Sequence, residues 1–281
     1  VLNQEGQLIG VVSLRDVVTA DPSCKLEEIM NTHLVTVAPE TDQEEVARLV
    51  SHYDFLAMPV VTPDRKMLGI IPVDDVIDVL VSESTEDILR FGGMEGGGAI
   101  NQPYFTVSLP VVVRKRIGWL LLLFLAETLT GSVLRIFEAE LVAVVALSFF
   151  IPLLIGTGGN TGAQTVSNLI RGLALGEVQW QDIWRVIRRE VLSGLMIGLL
   201  LGGVAFGRTI LWGNGVNIAL VVALTIVAIC TWANTIGSLI PMIAFKIKID
   251  PAVVSAPLIT TLVDATGLAI YLLIAKSILS L

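Results

Sequence analysis

Five long apolar stretches crowd the C-terminal part of this chain, at about 117–136, 138–157, 187–207, 216–244 and 253–280. Each approaches or exceeds the roughly 20 residues that a helix needs to cross a hydrocarbon layer. Backbone in such a layer must satisfy its own hydrogen bonds, so the stretches are expected to be packed helices. The two longest have room to tilt or to carry a break. The remainder is polar. The first 108 residues carry 18 Asp and Glu against 6 Lys and Arg, while residues 109–281 carry 8 acids against 12 bases. An acidic soluble part beside a basic membrane part suits cations as partners and argues against nucleic acid.

The last apolar stretch holds one carboxylate, Asp264, in Thr260-Thr-Leu-Val-Asp264-Ala-Thr-Gly267. Its neighbours are uncharged for at least ten positions on each side. A carboxylate there is costly unless it faces a polar path or a partner, so Asp264 is expected to line a pore for a divalent cation. The second stretch ends Ile151-Pro-Leu-Leu-Ile-Gly-Thr-Gly-Gly-Asn-Thr-Gly-Ala-Gln-Thr165. Gly156, Gly158, Gly159 and Gly162 are dense for a helix interior, and Pro152 removes a donor. Broken backbone lining a wet cavity is the expectation, with free carbonyls and the amides of Asn160 and Gln164 offering oxygen to a hard cation. Close helix packing is the competing use of such small residues. Glu127 and Asn234 are also intramembrane polar residues, and interhelical hydrogen bonds are expected for both.

The polar part contains a repeat. Val1–Val18 meets Val60–Leu80 on a shift of 59, with Gly10 on Gly69, Leu8 on Met67, Asp16 on Asp75 and Val17 on Val76. Each copy reads as strand, polar turn, second strand and helix. Thr32–Val37 reads as a further strand, and Thr41 or Asp42 as the cap of a helix holding Val46, Leu49 and Val50. A helix is predicted from Asp74 to about Phe91. It carries Asp74, Asp75, Asp78, Glu83, Glu86 and Asp87 with Arg90 alone opposing, and like charges at helical spacing repel unless a cation relieves them. Gly92–Gly98 then reads as a flexible connection and residues 99–113 as a lead-in. Cys24 and Cys230 lie in different parts, so no disulfide framework follows. The chain opens on Val1, without Met or signal peptide, and is expected to be a truncated piece.

The unit Met30-Asn-Thr, Val35-Thr-Val37-x-Pro39, Pro59-Val-Val61, Gly69-Ile-Ile71-x-x-Asp74-Asp75 resembles a CBS domain, with the second module complete and the first present as its C-terminal half. The resemblance implies an adenine nucleotide such as ATP at Ser13, Arg15 and Asp16. Pro72 stands where the second copy would need a hydroxyl.

With Leu262-Val-Asp264-x-x-Gly267, the glycine-rich stretch resembles the MgtE family of magnesium channels, and the resemblance covers nearly the whole chain. The family's N-terminal helical domain and complete first CBS module are not in this sequence. The fold class implied is an α+β cytosolic CBS domain, residues 1–80, joined by an acidic plug helix and linker, 74–110, to an all-α membrane domain of five transmembrane helices, 111–281. The resemblance implies a homodimer in the bilayer, with its pore between the second and fifth helices. Asp264, Thr260 and the Gly158-Gly159-Asn160 motif would flank that pore. It also implies Mg2+ bound between Asp75, Glu83, Glu86 and Asp87 on the plug helix and Asp250 before the last helix, closing the pore. Asp78, Glu44 and Asp54 are further candidate ligands.

Nine cations, Arg114, Lys115, Arg116, Arg171, Arg185, Arg188, Arg189, Lys246 and Lys248, fall on the side of the N-terminus, and three, Arg135, Arg208 and Lys276, on the other. This predicts a plasma (inner) membrane protein with the N-terminus in the cytoplasm and the C-terminus outside. A membrane metalloprotease would need histidines in the membrane part, which has none. A chloride channel fits poorly with a buried Asp, and a CBS sensor without transport leaves Asp264 unexplained. A carrier exchanging Mg2+ for Na+ or H+ is the alternative to a channel.

Overall fold

A computed structural model describes residues 1–94 and 105–281. Of the connection expected over Gly92–Gly98, residues 95–98 lie outside the described residues, as do residues 99–104 of the lead-in. The chain forms two compact units, Val1–Thr85 and Glu86–Leu281.

In the first unit, helices α1 (Leu14–Thr19), α2 (Leu26–Ile29) and α3 (Gln43–Tyr53) precede strands β1 (Ala57–Val61) and β2 (Met67–Pro72). The strands pair antiparallel, from Ala57 opposite Pro72 to Val61 opposite Met67. Helix α3 starts on Asp42, whose carboxylate accepts from the Glu44 N–H, and stops at Asp54, where φ is 52°. One face of α3 supplies Val46, Ala47 and Val50 to a small core with Val37, Met58 and Val76. Helix α4 (Val73–Phe91) begins in this unit and continues into the next.

Two strand expectations are corrected. The first copy of the repeat holds only single bridges, Leu2 to Leu8, Gln7 to Lys66 and Val11 to Asn31, before α1. Thr32–Val37 likewise bridges only at Val37, to Val60. A strand needs a neighbour along its length to close a ladder. Here the chain folds back on itself, the Val1 ammonium donating to the Gly10 carbonyl, and its three bridges go to three different segments, so no ladder forms.

The second unit contains α5 (Leu109–Ile136), α6 (Glu138–Ala143), α7 (Ile151–Ala174), α8 (Ile183–Leu211), α9 (Gly215–Lys246) and α10 (Ala256–Leu279). Among the described residues five helices are long and apolar enough to cross a membrane, and the chain is a multi-pass membrane protein. Helix α8 packs along α9, α7 lies against both α9 and α10, and α5 lies on α10. The α8–α9 hairpin turns on Gly213 and Gly215, with φ of 75° and 81°, where a side chain would be strained. The Tyr271 hydroxyl, inside the core, donates to the Leu147 carbonyl at 2.9 Å and ties α10 to the entry of α7.

The second membrane segment is corrected in position and in kind. The expected 138–157 span is the short α6 followed by a 3-10 turn, Val145–Phe150, and the membrane helix runs from there to Ala174. The glycine-rich stretch is unbroken α-helix. Pro152 sits in its first turn, where an absent N–H costs nothing. The glycines suggested an end because they are poor helix formers, but close approach to two neighbours keeps the helix intact. A Cβ on Gly158 would lie 2.5 Å from Ile229 Cγ2 and 2.9 Å from Val263 Cγ1, and one on Gly162 would lie 3.0 Å from Ile259 Cγ2.

Candidate metal-ion site

The two motifs singled out in the sequence meet where α7 crosses α10. A Cβ built on Gly159 would stand 3.2 Å from Thr260 Cγ2 and 3.6 Å from Asp264 Oδ1. A small residue at Gly159 lets the two helices approach closely beside Asp264. Asp264 Oδ1 is buried and has no hydrogen-bond partner among the described residues. Burying a polar atom without a partner is costly, and more so for a charge. Thr260, one turn earlier, spends its hydroxyl on the Pro257 carbonyl at 2.9 Å, so it presents a methyl to Gly159.

Gly156, Asn160 and Gln164 are exposed and four residues apart, and Asn168 extends the row. This row forms a polar stripe along a helix otherwise fit for lipid. Since α7 is unbroken, its carbonyls are used within the helix, and the exposed amides of Asn160, Gln164 and Asn168 are the oxygens this row can offer an ion. Gly158 and Gly159 are buried packing positions; Gly156 has nothing within 4 Å of a built Cβ.

Glu127 makes no hydrogen bond among the described residues, contrary to expectation. Its side chain is exposed on α5, so no neighbouring helix among the described residues offers it a donor. Asn234 does bridge helices as expected, and reveals a carboxylate that sequence reading missed. Its amide donates to the Glu190 carbonyl at 3.1 Å and to Glu190 Oε2 at 3.3 Å, and Thr165 Oγ1 lies 3.5 Å from the same oxygen. The group joins α7, α8 and α9. Glu190 follows Arg188 and Arg189 in sequence and so reads as interfacial; its place between helices was the missing signal.

The acidic helix is as long as predicted, within one residue. Its acids have separate fates. Glu83 accepts from Gln43 Nε2 at 2.6 Å. Arg90 pairs with Glu86 on its own helix and with Asp250, which precedes α10. Partial burial works against the Arg90 charge, but the hydrogen bond and charge of Asp250, helped by Glu86 and Asp87, hold its proton more firmly than usual. Asp250 also accepts from the Ala252 N–H at 2.8 Å, starting the short turn Pro251–Val253. Asp75 and Asp78 are exposed, as are Glu44 in the first turn of α3 and Asp54 at its end. Among the described residues no three carboxylate, histidine or cysteine side chains converge to hold a metal within one chain. The reason is spacing: the acids run from Asp74 to Asp87, over nearly four turns of α4, and the one nearest Asp250 is answered by an arginine.

Ser13, Arg15 and Asp16 are exposed. Ser13 caps α1, accepting from the Asp16 N–H at 3.1 Å and donating to its carboxylate at 2.6 Å.

Residues 151–274 match the MgtE family, described as divalent cation transporter, and residues 26–82 match the CBS domain. The chain is 42% identical over 279 residues to the magnesium transporter MgtE of Thermus thermophilus, covering 99% of this chain and 61% of that protein. It is 38% identical over 277 residues to the magnesium transporter MgtE of Bacillus subtilis, covering 99% and 60%. A solved structure titled as the cytosolic domain of the Mg2+ channel MgtE in complex with ATP aligns with 28% of this chain and 32% of its own at 51% identity, with a TM-score of 0.27. The chain thus spans about three fifths of the length of the curated relatives it matches. The α7–α10 crossing lies inside the region that matches the MgtE family, and nearly every residue of the chain aligns with these transporters.

Proposed function

We propose that this chain forms the ion path of a magnesium transporter, with Asp264 beside the passing ion. The observation that carries this reading is the buried, unpartnered Oδ1 of Asp264 against Gly159 in the middle of two membrane helices. A hydrated cation beside the carboxylate removes the cost of burying it. Magnesium sheds water reluctantly, so the amides of Asn160 and Gln164 and the carboxylate would hold it through its waters. The names of the relatives support Mg2+ as the cargo.

The exposed stripe Gly156, Asn160, Gln164 supports a homodimer in which two copies of α7 and α10 enclose the path. Polar side chains facing lipid are unfavourable, and a second copy or water would cover them. The charge count supports a cytoplasmic N-terminus, and influx across the plasma membrane is part of the same proposal. Gating is assigned to the end of α4, where Glu86, Asp87, Arg90 and Asp250 make the seating of this helix sensitive to cations. Asp75, Asp78, Glu83, Glu44 and Asp54 remain candidate Mg2+ ligands through their exposure or position, and Ser13, Arg15 and Asp16 are accessible to an adenine nucleotide.

A coupled carrier is the second reading, favoured by one observation. Glu190 is another intramembrane carboxyl, held by Thr165 and Asn234, and such groups serve proton or sodium relays. Proteoliposome flux separates the two. A channel passes Mg2+ after Na+ and H+ gradients are collapsed and shows unitary currents; a carrier stops. Asp264→Asn should cut Mg2+ flux at least about tenfold, as the loss of a charged ligand at close range implies. Selective flux at the original rate in that variant would remove Asp264 from the path.

A further inference from the structure

We infer that the outward face of α8, over its first two turns, holds the headgroup of an anionic phospholipid. Arg185, Arg188 and Arg189 stand on these turns and all three are exposed. At 3.6 residues per turn they share an arc of about 100°. None of them forms an ion pair among the described residues. The acids nearest in sequence are engaged elsewhere. Asp182 accepts from the Gln179 N–H at 3.1 Å, and Glu190 accepts from the Asn234 amide at 3.3 Å. Arginine in the first turns of a helix works against its dipole, so helix stability does not account for three of them.

The same face runs on into the hydrocarbon layer. Leu192, Met196 and Leu199 continue the line of Arg185 along α8, and all are exposed. On the opposite side Gly194 and Gly198 lie against the backbone of α9. The arginines therefore stand on the side of α8 turned away from its hairpin partner. This face is on a different helix from the α7 stripe proposed to meet a second copy, so lipid is free to cover it.

Depth selects the ligand. The uncharged run Val191–Gly207 separates Glu190 from Arg208. Its 17 residues span about 26 Å at 1.5 Å per residue, close to the roughly 30 Å of a hydrocarbon core. Arg189 therefore sits at the edge of that core, and Arg185 lies about 6 Å further out, in the headgroup layer. Trp184, 79% exposed, is at the level where aromatic residues anchor. Guanidinium groups hold phosphate through charge-assisted, often bidentate hydrogen bonds, and basic residues at this depth are drawn to anionic lipid. The apolar line below them has acyl chains to meet, which free phosphate does not offer.

The test uses the 281-residue chain in neutral detergent, with native mass spectrometry and thermal unfolding. Phosphatidylglycerol, phosphatidylcholine and inorganic phosphate are the probes. Phosphatidylglycerol should be retained by the chain and raise its unfolding temperature, with phosphatidylcholine held at least about tenfold more weakly. The triple substitution Arg185→Gln, Arg188→Gln and Arg189→Gln should weaken phosphatidylglycerol binding by about tenfold or more. Arg171→Gln, at the end of α7 where the arginine already pairs with Glu177, should leave it unchanged. An equal loss in Arg171→Gln would mean diffuse attraction to net charge and would overturn the site. Binding that is unaffected by the triple substitution would overturn it too, as would equal retention of phosphatidylcholine. Displacement of the lipid by millimolar phosphate would assign the arginines to a free anion and remove the lipid. If the triple variant fails to fold, Arg188→Gln alone, at an exposed position, should weaken binding by about fivefold, and an unchanged affinity there would count against the site in the same way.

Discussion

Arg90, in the last turn of α4, forms an ion pair with Asp250, 160 positions away and just ahead of α10. Its guanidinium also reaches Glu86 one turn back. A resident cation thus occupies the place between plug-helix acid and pore-side acid where a divalent ion was expected.

The consequence is testable with Arg90→Gln. Both side chains of the pair are about a third exposed, so solvent screens them, and a double-mutant cycle with Asp250→Asn should give a coupling of about 0.5–1 kcal/mol. Removing Arg90 leaves Glu86 and Asp250 without the cation they share. Millimolar Mg2+ should then raise the unfolding temperature of Arg90→Gln more than that of the original chain. Equal shifts in both would mean that these acids do not share one cation position.

The α7 glycines should differ sharply from one another. Gly158→Ala places a methyl 2.5 Å from Ile229 Cγ2 and should destabilise by about 1–3 kcal/mol through overpacking. Gly159→Ala meets Thr260 Cγ2 at 3.2 Å, so a shift of a few tenths of an ångström suffices and the cost should stay near 1 kcal/mol or below. Gly156→Ala meets nothing and should be neutral or stabilising by about 0.5–1 kcal/mol in the monomer, from helix propensity. Thermal unfolding of the three variants checks the order. If Gly156→Ala lowers the stability of the dimer alone, the α7 stripe is buried between copies.

A second glycine row binds α8 to α9. Cβ atoms on Gly194, Gly198 and Gly202 would lie 2.7, 2.7 and 2.9 Å from the backbone of α9, at Cys230 O, Val227 Cα and Ala223 O. Backbone cannot give way as a side-chain tip can. Gly198→Val should therefore disrupt the hairpin by more than the roughly 3 kcal/mol upper range of ordinary overpacking, read as loss of a monodisperse peak in detergent. A well-folded Gly198→Val protein would show that the two helices are not in such close contact.

Asn234 is 1% exposed and holds Glu190 through two hydrogen bonds. Asn234→Leu leaves the Glu190 carboxyl without its amide donor and should cost about 1–3 kcal/mol. Restoring the match with Glu190→Leu in the same chain should recover part of that loss, since removing both polar partners is cheaper than removing one. A double variant no more stable than Asn234→Leu would show that the two side chains are not coupled.

What the sequence alone determined is the set of features governed by local periodicity and by cost. Helix α4 was predicted from Asp74 and begins at Val73 because charge, capping and apolar spacing are read along one helix. Five membrane crossings and the exceptional status of Asp264 follow from hydropathy, a property of neighbours in the chain. What only the tertiary structure decided depends on neighbours in space. The glycines of α7 looked like a break, and they prove to be an unbroken helix because Ile229, Val263 and Ile259 come from two other helices to fill the gaps. Glu190 was not singled out in the sequence, and only the packing of α7 and α9 brings Thr165 and Asn234 to it. Arg90 was the lone base among acids, and only the fold placed Asp250 beside it. Spacing along the chain fixes which face a side chain occupies; the partner on that face is chosen by packing between segments far apart in sequence.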